Sequence, residues 1–157
     1  MLEPNRQVME WLLHGYWEFP NPRDVLSGIT PEQACERVAD LPYSIGQLVA
    51  HMHWWQQRRL AITKGEEPGD FKPRVDDWPD VTPEQWAPLA EKLLASYDEI
   101  LELVGDPAVM GRIVFGERNM GVMLVSHACH NAYHLGQIIV IRRLQGTWPE
   151  PDVSRSE

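Results

Sequence analysis

The sequence predicts an all-α protein, a four-helix bundle with one long crossover connection, and three observations carry that expectation. Helix starts are written in capping boxes at Thr30, Ser44 and Thr82. Apolar residues recur at helical spacing through long segments that end at Gly or Pro. A single stretch rich in Gly, Pro and charge, residues 65–80, interrupts the helical pattern and is read as an ordered crossover or a surface loop.

From the N-terminus, a helix is expected from Pro4 to about Tyr16, with Val8, Trp11, Leu12 and Gly15 on one side. The turn Phe19-Pro20-Asn21-Pro22 closes it, and a short helix is expected within Pro22 to Val38. Thr30-Pro31-Glu32-Gln33 and Thr82-Pro83-Glu84-Gln85 each place Thr at the N-cap, Pro at N1 and Gln at N3. After Ser44-Ile45-Gly46-Gln47, the residues Ile45, Leu48, Val49, Met52 and Leu60 keep one side of a helix running to about Lys64. From Thr82, Leu89, Leu93, Leu94, Tyr97, Ile100, Leu101 and Val104 repeat the pattern until Gly105-Asp106-Pro107. Met110 to Phe115 reads as a short extended piece with no partner strand, so no sheet is expected. The most apolar helix starts at Asn119 or Met120 and runs to Leu144, where Gly146 and Pro149 stop it. Four helices longer than three turns bury their stripes most simply on one another.

The chain has 157 residues, 43% of them hydrophobic, which predicts one domain across 1–157 with a genuine core. Its 23 acidic and 14 basic residues leave a net charge of −9, which repels a phosphate backbone and argues against nucleic acid as a partner. Apolar runs such as Ile138 to Ile141 are far short of a membrane span, and Met1 to Glu10 has no signal-peptide pattern. A cytoplasmic location is therefore expected. Cys35 and Cys129 stand apart without a CxxC pair and are expected as small core residues. The seven tryptophans are expected in the core or at a buried interface. There is no internal repeat and no low-complexity segment.

Five of the six histidines fall on two helices, at positions 51 and 53 and at 127, 130 and 134. His130 and His134 are four apart, so their rings share a face about 6 Å apart by helix rise, suited to chelating one ion. The zinc-protease pattern HExxH is excluded, because Asn131 stands where the general base would be. His127 and His134 lie about 10.5 Å apart along a straight helix, which makes His127 the weaker ligand and suits it to a supporting role. His51 and His53 differ by about 200° around their helix, so one of them faces the site, and periodicity leaves the two equal. A chance HxxxH pair with each ring satisfied by ordinary partners is common in helical proteins. Against it, three imidazoles on a core-facing stripe of Val, Leu, Ile and Ala are costly unless something satisfies them.

The segment Ser126-His127-Ala128-Cys129-His130-Asn131-Ala132-Tyr133-His134-Leu135-Gly136-Gln137-Ile138 resembles the last-helix motif of the DinB/YfiT-like superfamily, bacterial four-helix-bundle metalloproteins. Ser44 to His51 resembles its second-helix motif, and Thr30-Pro31-Glu32-Gln33-Ala34 the segment before it; together the matches span about Ile29 to Leu144. The resemblance implies that His51, His130 and His134 are the metal ligands, which separates His51 from His53. It also implies a bundle with the long crossover, commonly paired as a homodimer. The extra His53 and His127 depart mildly from the pattern.

Three neutral imidazoles leave a coordination position open, and they suit one divalent transition ion, zinc, nickel, iron or copper, rather than calcium or magnesium; zinc or nickel is the expected ion, with iron as the other option. A Lewis-acid ion lowers the pKa of a bound water or thiol. The resemblance implies a thiol-dependent S-transferase, with a low-molecular-weight thiol and a small-molecule electrophile as partners. A metal-dependent hydrolase, a non-catalytic metal-binding or stress-response protein and a metal-free bundle are the alternatives. Arg142 or Arg143 is available for a carboxylate of the thiol, although cations in a last turn first complement the helix dipole. Gln137 shares the ligand face and is expected to orient an imidazole or a water. Asn131 and Tyr133 are expected as packing or interface residues. Trp54 and Trp55 are expected in core packing, with an apolar pocket wall as the other option.

Overall fold

The computed structural model describes residues 6–17 and 19–149. Its helices are α1 (Arg6–His14), α2 (Pro22–Leu26), α3 (Pro31–Cys35), α4 (Ile45–Thr63), α5 (Pro83–Val104), α6 (Pro107–Met110) and α7 (Met120–Leu144), with strands β1 (Ile113–Phe115) and β2 (Arg118–Asn119). α1 packs on α5 and α7, and α4 packs on the same two, so these four helices form the bundle. Buried Met9, Leu13, Leu48, Met52, Leu93 and Ile138, one or two from each helix, fill its centre. Among the described residues no helix is long and apolar enough to cross a membrane.

All three expected helix starts form, and two of them carry both bonds of the capping box. The Thr30 and Ser44 side chains each accept from the N–H of the Gln three residues on, whose side chain accepts in return; at Thr82 the Gln85 side chain accepts from the Thr82 N–H, and the Gln85 N–H donates to the Thr82 backbone carbonyl. α7 is capped differently, by the Asn119 side chain accepting from the Val122 N–H. α1 is shorter than expected: Pro4 lies outside the described residues, and the helix stops at His14. The cause is Gly15 at φ +88, where an added Cβ would sit 2.6 Å from the Phe19 carbonyl oxygen. The single helix expected within Pro22 to Val38 is two short ones, because Gly28 turns left-handed at φ +71 and Thr30-Pro31 restarts the helix.

Three further expectations are corrected, that for the tryptophans as to the core. Met110 to Phe115 does find a strand partner, since Ile113 pairs with Asn119 and Phe115 with Arg118 in a small antiparallel hairpin turned at Gly116 (φ +58). Of the tryptophans only Trp86 is buried, at 4% exposure; Trp17 is 81% exposed, and Trp54, Trp55 and Trp78 are half-buried around the histidines. Cys129 is exposed on α7 rather than in the core, and Cys35 is half-buried, its thiol donating to the Val81 carbonyl. Neither cysteine is in a disulfide.

The crossover between α4 and α5 is ordered against the bundle. Arg58 of α4 donates to the Pro68 and Gly69 carbonyls, and Asp77 is buried beneath the chain that follows. Lying across α4, this segment forms one wall of the histidine cluster.

Candidate metal centre

The sides of α4 and α7 that face each other both carry histidines. His51 lies in the second turn of α4, and the capping box at Ser44 fixes where that turn begins. His130 and His134 occupy one face of α7, as their spacing of four requires. The Nε2 atom of His130 stands 3.1 Å from Nε2 of His51 and 3.1 Å from Nε2 of His134. Two nitrogens bound to one tetrahedral zinc ion at 2.0–2.1 Å lie about 3.3 to 3.4 Å apart, so this spacing is close to that of a shared ion. Among the described residues these three form the group of ligand-type side chains whose donor atoms all lie within 4.8 Å of one another.

The outer nitrogens decide which way the lone pairs face. His51 Nδ1 lies 2.6 Å from the Asp77 backbone carbonyl, which can only accept, so the ring proton sits on Nδ1 and Nε2 presents its lone pair. His134 Nδ1 lies 2.6 Å from Gln137 Oε1. Gln137 Nε2 donates to the Tyr43 hydroxyl at 2.7 Å and the Tyr133 hydroxyl at 3.2 Å, and its Oε1 accepts from His134 Nδ1–H. His134 Nε2 is therefore also a lone pair. The expectation that Gln137 orients an imidazole is met. A neutral His130 brings at most one proton to the cluster, and its Nδ1 is buried without a hydrogen-bonding partner. At least two lone pairs, and three if His130 carries its proton on Nδ1, thus converge on one point. That is the donor set of a transition ion, and the residues present fit one.

Burial keeps the rings neutral. It pushes His51 and His130 below the ordinary histidine range and His134 down to about 4, so all three are deprotonated donors near pH 7. Trp78 of the crossover stacks on His51 with ring centroids 4.1 Å apart and meets His134 edge-on at 6.1 Å. Asp77 also accepts from the Trp55 indole at 3.3 Å and from the Arg74 N–H at 2.6 Å, and these bonds hold its carbonyl on His51.

His53 and His127 are not part of the converging trio. His53 faces the other side of α4, beside a cavity of about 410 Å³ that Trp54, Arg58 and Leu89 also line. His127 is buried and donates Nε2–H to Gln56 Oε1 at 2.8 Å, while burial drives its pKa to about 3. Asn131 donates to the same oxygen at 2.8 Å, and Gln56 itself donates to Ser96 at 3.0 Å. His127 and Asn131 are thus members of a buried polar network joining α4, α5 and α7. Arg142 is spent elsewhere: its guanidinium donates to the Val25 carbonyl at 2.7 Å and the Thr147 carbonyl at 2.9 Å. Arg143 is exposed in the last turn of α7. Neither arginine lines a cavity at the histidines, which corrects the expectation that one of them receives a carboxylate.

An inner cavity of about 260 Å³ opens beside the cluster, lined by His51, Trp55, Arg59, Ser126, His127 and His130. It shares Trp55, Arg59 and Ser126 with an outer cavity of about 660 Å³, walled by Val114, Phe115 and Met123 among others. Trp55 accordingly walls cavities and does not pack in the core. Sequence reasoning missed Asp77, Trp78, Gln56 and Arg59. The crossover residues lie in a segment without periodicity, so no register could be read for them. Arg59 carried a usable signal, since His51, Trp55 and Arg59 are spaced by four along one side of α4.

Comparison with protein families matches residues 21–138 to the DinB superfamily. That is about three quarters of the chain, and it takes in all three clustered histidines. Comparisons with curated proteins and with solved structures gave no match. The helical bundle, the histidines carried by α4 and α7 and the extent of the match agree, and the chain belongs to the DinB superfamily.

Proposed function

We propose that His51, His130 and His134 bind one divalent transition ion through Nε2, and that the protein is a thiol-dependent S-transferase joining a low-molecular-weight thiol to an electrophilic small molecule. The observation that carries this reading is the convergence of three imidazole nitrogens whose outer partners, Asp77 and Gln137, turn lone pairs inward. Imidazole ligands suit zinc, nickel, iron and copper, and zinc or nickel is the ion proposed. When bound, such an ion makes a thiolate available near neutral pH.

The chain's own residues supply the rest. Trp78 and Asp77 hold His51 in place, and the half-buried cavity beside the cluster reduces water around a reacting pair. No carboxylate lines either cavity, so the residues facing a bound substrate are imidazoles, Arg59, Arg118, Ser126 and apolar side chains. The thiol comes from a cosubstrate, because Cys35 is bonded to Val81 and Cys129 lies exposed, outside the lining of either cavity. A second copy of the chain belongs on the exposed stripe of α7 formed by Tyr133, Val140 and Leu144, each more than half exposed.

Untagged protein loaded with zinc or nickel is mixed with monobromobimane or chlorodinitrobenzene and with glutathione, bacillithiol or mycothiol in turn. Metal-dependent loss of free thiol, abolished by His130→Ala, is the expected result. Metal uptake without thiol consumption in any combination contradicts the transferase and leaves a non-catalytic metal-binding protein.

A further inference from the structure

We infer that the cavity running away from the three histidines binds the carboxylate of a largely apolar organic acid, and that the Arg59 guanidinium is its anchor. Arg59 lines both the inner and the outer cavity, with Trp55 and Ser126 beside it, and is the one charged side chain common to the two. Its Nε is buried without a partner, and its Nη1 meets the Met123 sulfur at 3.7 Å, a weak acceptor. Among the described residues no carboxylate pairs with it. The other arginines drawn into the fold are treated differently: Arg58, Arg112 and Arg142 each donate to backbone carbonyls. Holding an arginine half-buried with only a sulfur and a ring face for partners is costly, and an anion arriving from outside repays that cost.

The surroundings define the anion. Although the chain carries a net charge of −9, neither cavity is lined by an Asp or Glu, and Arg118 of β2 adds a second cation to the outer one. Apart from Ser126 the remaining wall is apolar, with Ile62, Val114, Phe115 and Met123, and the Arg59 guanidinium carbon stands over the Trp55 ring, 5.1 Å from its centroid. A planar guanidinium matches a carboxylate through two parallel hydrogen bonds. An acid with an aromatic or aliphatic body fits this wall better than a polar peptide-like thiol does. Its size class is that of an ordinary small-molecule pocket. Held at Arg59, the acid lies beside His51 and His130, which share the inner cavity. Its role as the electrophile rests on the transferase reading; its binding does not.

The test uses chelator-treated protein, so that a carboxylate cannot ligate an ion, and calorimetric titration with 4-phenylbutyrate and with its uncharged analogue 4-phenylbutyramide. In wild type the acid is expected to bind at least about tenfold more tightly than the amide, as a charge-assisted pair implies. Arg59→Met removes that preference and Arg59→Lys keeps part of it. The Arg59 Nε–H resonance shifts with the acid and not with the amide, which decides the question in wild type even if Arg59→Met does not fold. Equal binding of acid and amide to wild type, or undiminished acid binding to folded Arg59→Met, overturns the inference. A parallel zinc titration separates the two readings: wild type that takes up no zinc refutes the metal centre while the acid-to-amide ratio still stands.

Discussion

His51 and His134 would be indifferent ligands if their rings could turn or exchange tautomers, and the two bonds at their outer nitrogens prevent both. Asp77 supplies a backbone carbonyl and Gln137 a side-chain amide, so only the second can be removed by substitution without moving the chain. Gln137→Leu should weaken metal binding about 10- to 100-fold while leaving the fold intact, measured by competition with a chelator of known affinity. His130 and His134 were legible from spacing alone, because a helix fixes what four residues mean. His51 over His53 was not legible from periodicity; it rested on the resemblance, and the structure now gives the reason in the rotation of α4. Arg59 went unnoticed because a lone arginine on a helix carries no sign of whether its partner is solvent, backbone or nothing. The histidines also predict a pH dependence. Folding holds His134 near 4 and His127 near 3, whereas unfolded histidine titrates near about 6.5, so the unfolded chain binds more protons below that pH. Stability of the metal-free protein is therefore full above about pH 6.5 and falls as pH drops toward 4, by up to about 1.4 kcal/mol per pH unit for each histidine. Urea unfolding of chelated protein at pH 7.5, 6 and 5 checks this, and a midpoint that does not move contradicts the buried, neutral rings.

Among the elements, the crossover has the largest part in shaping the site. It places Asp77 on the back of His51 and Trp78 flat on its face. Trp78→Ala should therefore speed metal release by about tenfold, read as the rate at which a chelator strips zinc, with far-UV circular dichroism unchanged. α4 depends on its start, since the Ser44 box sets the register that delivers His51. Ser44→Ala should cost about 1 kcal/mol of stability in denaturant unfolding. α4, α5 and α7 were legible because caps and apolar stripes are local signals. The hairpin was not, because β2 has two residues and Asn119 serves at once as strand and as the cap of α7. The tryptophans misled for a related reason: ring size argues for burial, but Trp54, Trp55 and Trp78 are half-buried around cavities and the crossover, where large rings build walls.

For the whole molecule, an ion held by His51, His130 and His134 would tie α4 to α7 and, through Asp77, fix the crossover over both. Free metal at about 100 times its dissociation constant should then add about 2.7 kcal/mol, which for a chain of this size raises the melting temperature by roughly 5 to 10 °C. Differential scanning calorimetry of chelated and zinc-loaded protein measures it, and His134→Ala should abolish the difference. The most direct test of the metal centre is an anomalous-scattering map collected at the absorption edge of the bound element from crystals of untagged protein. The expected result is one peak per chain, about 2.0 to 2.2 Å from the Nε2 atoms of His51, His130 and His134. A peak held instead by His53 or His127, or no peak after growth in zinc and nickel, contradicts it.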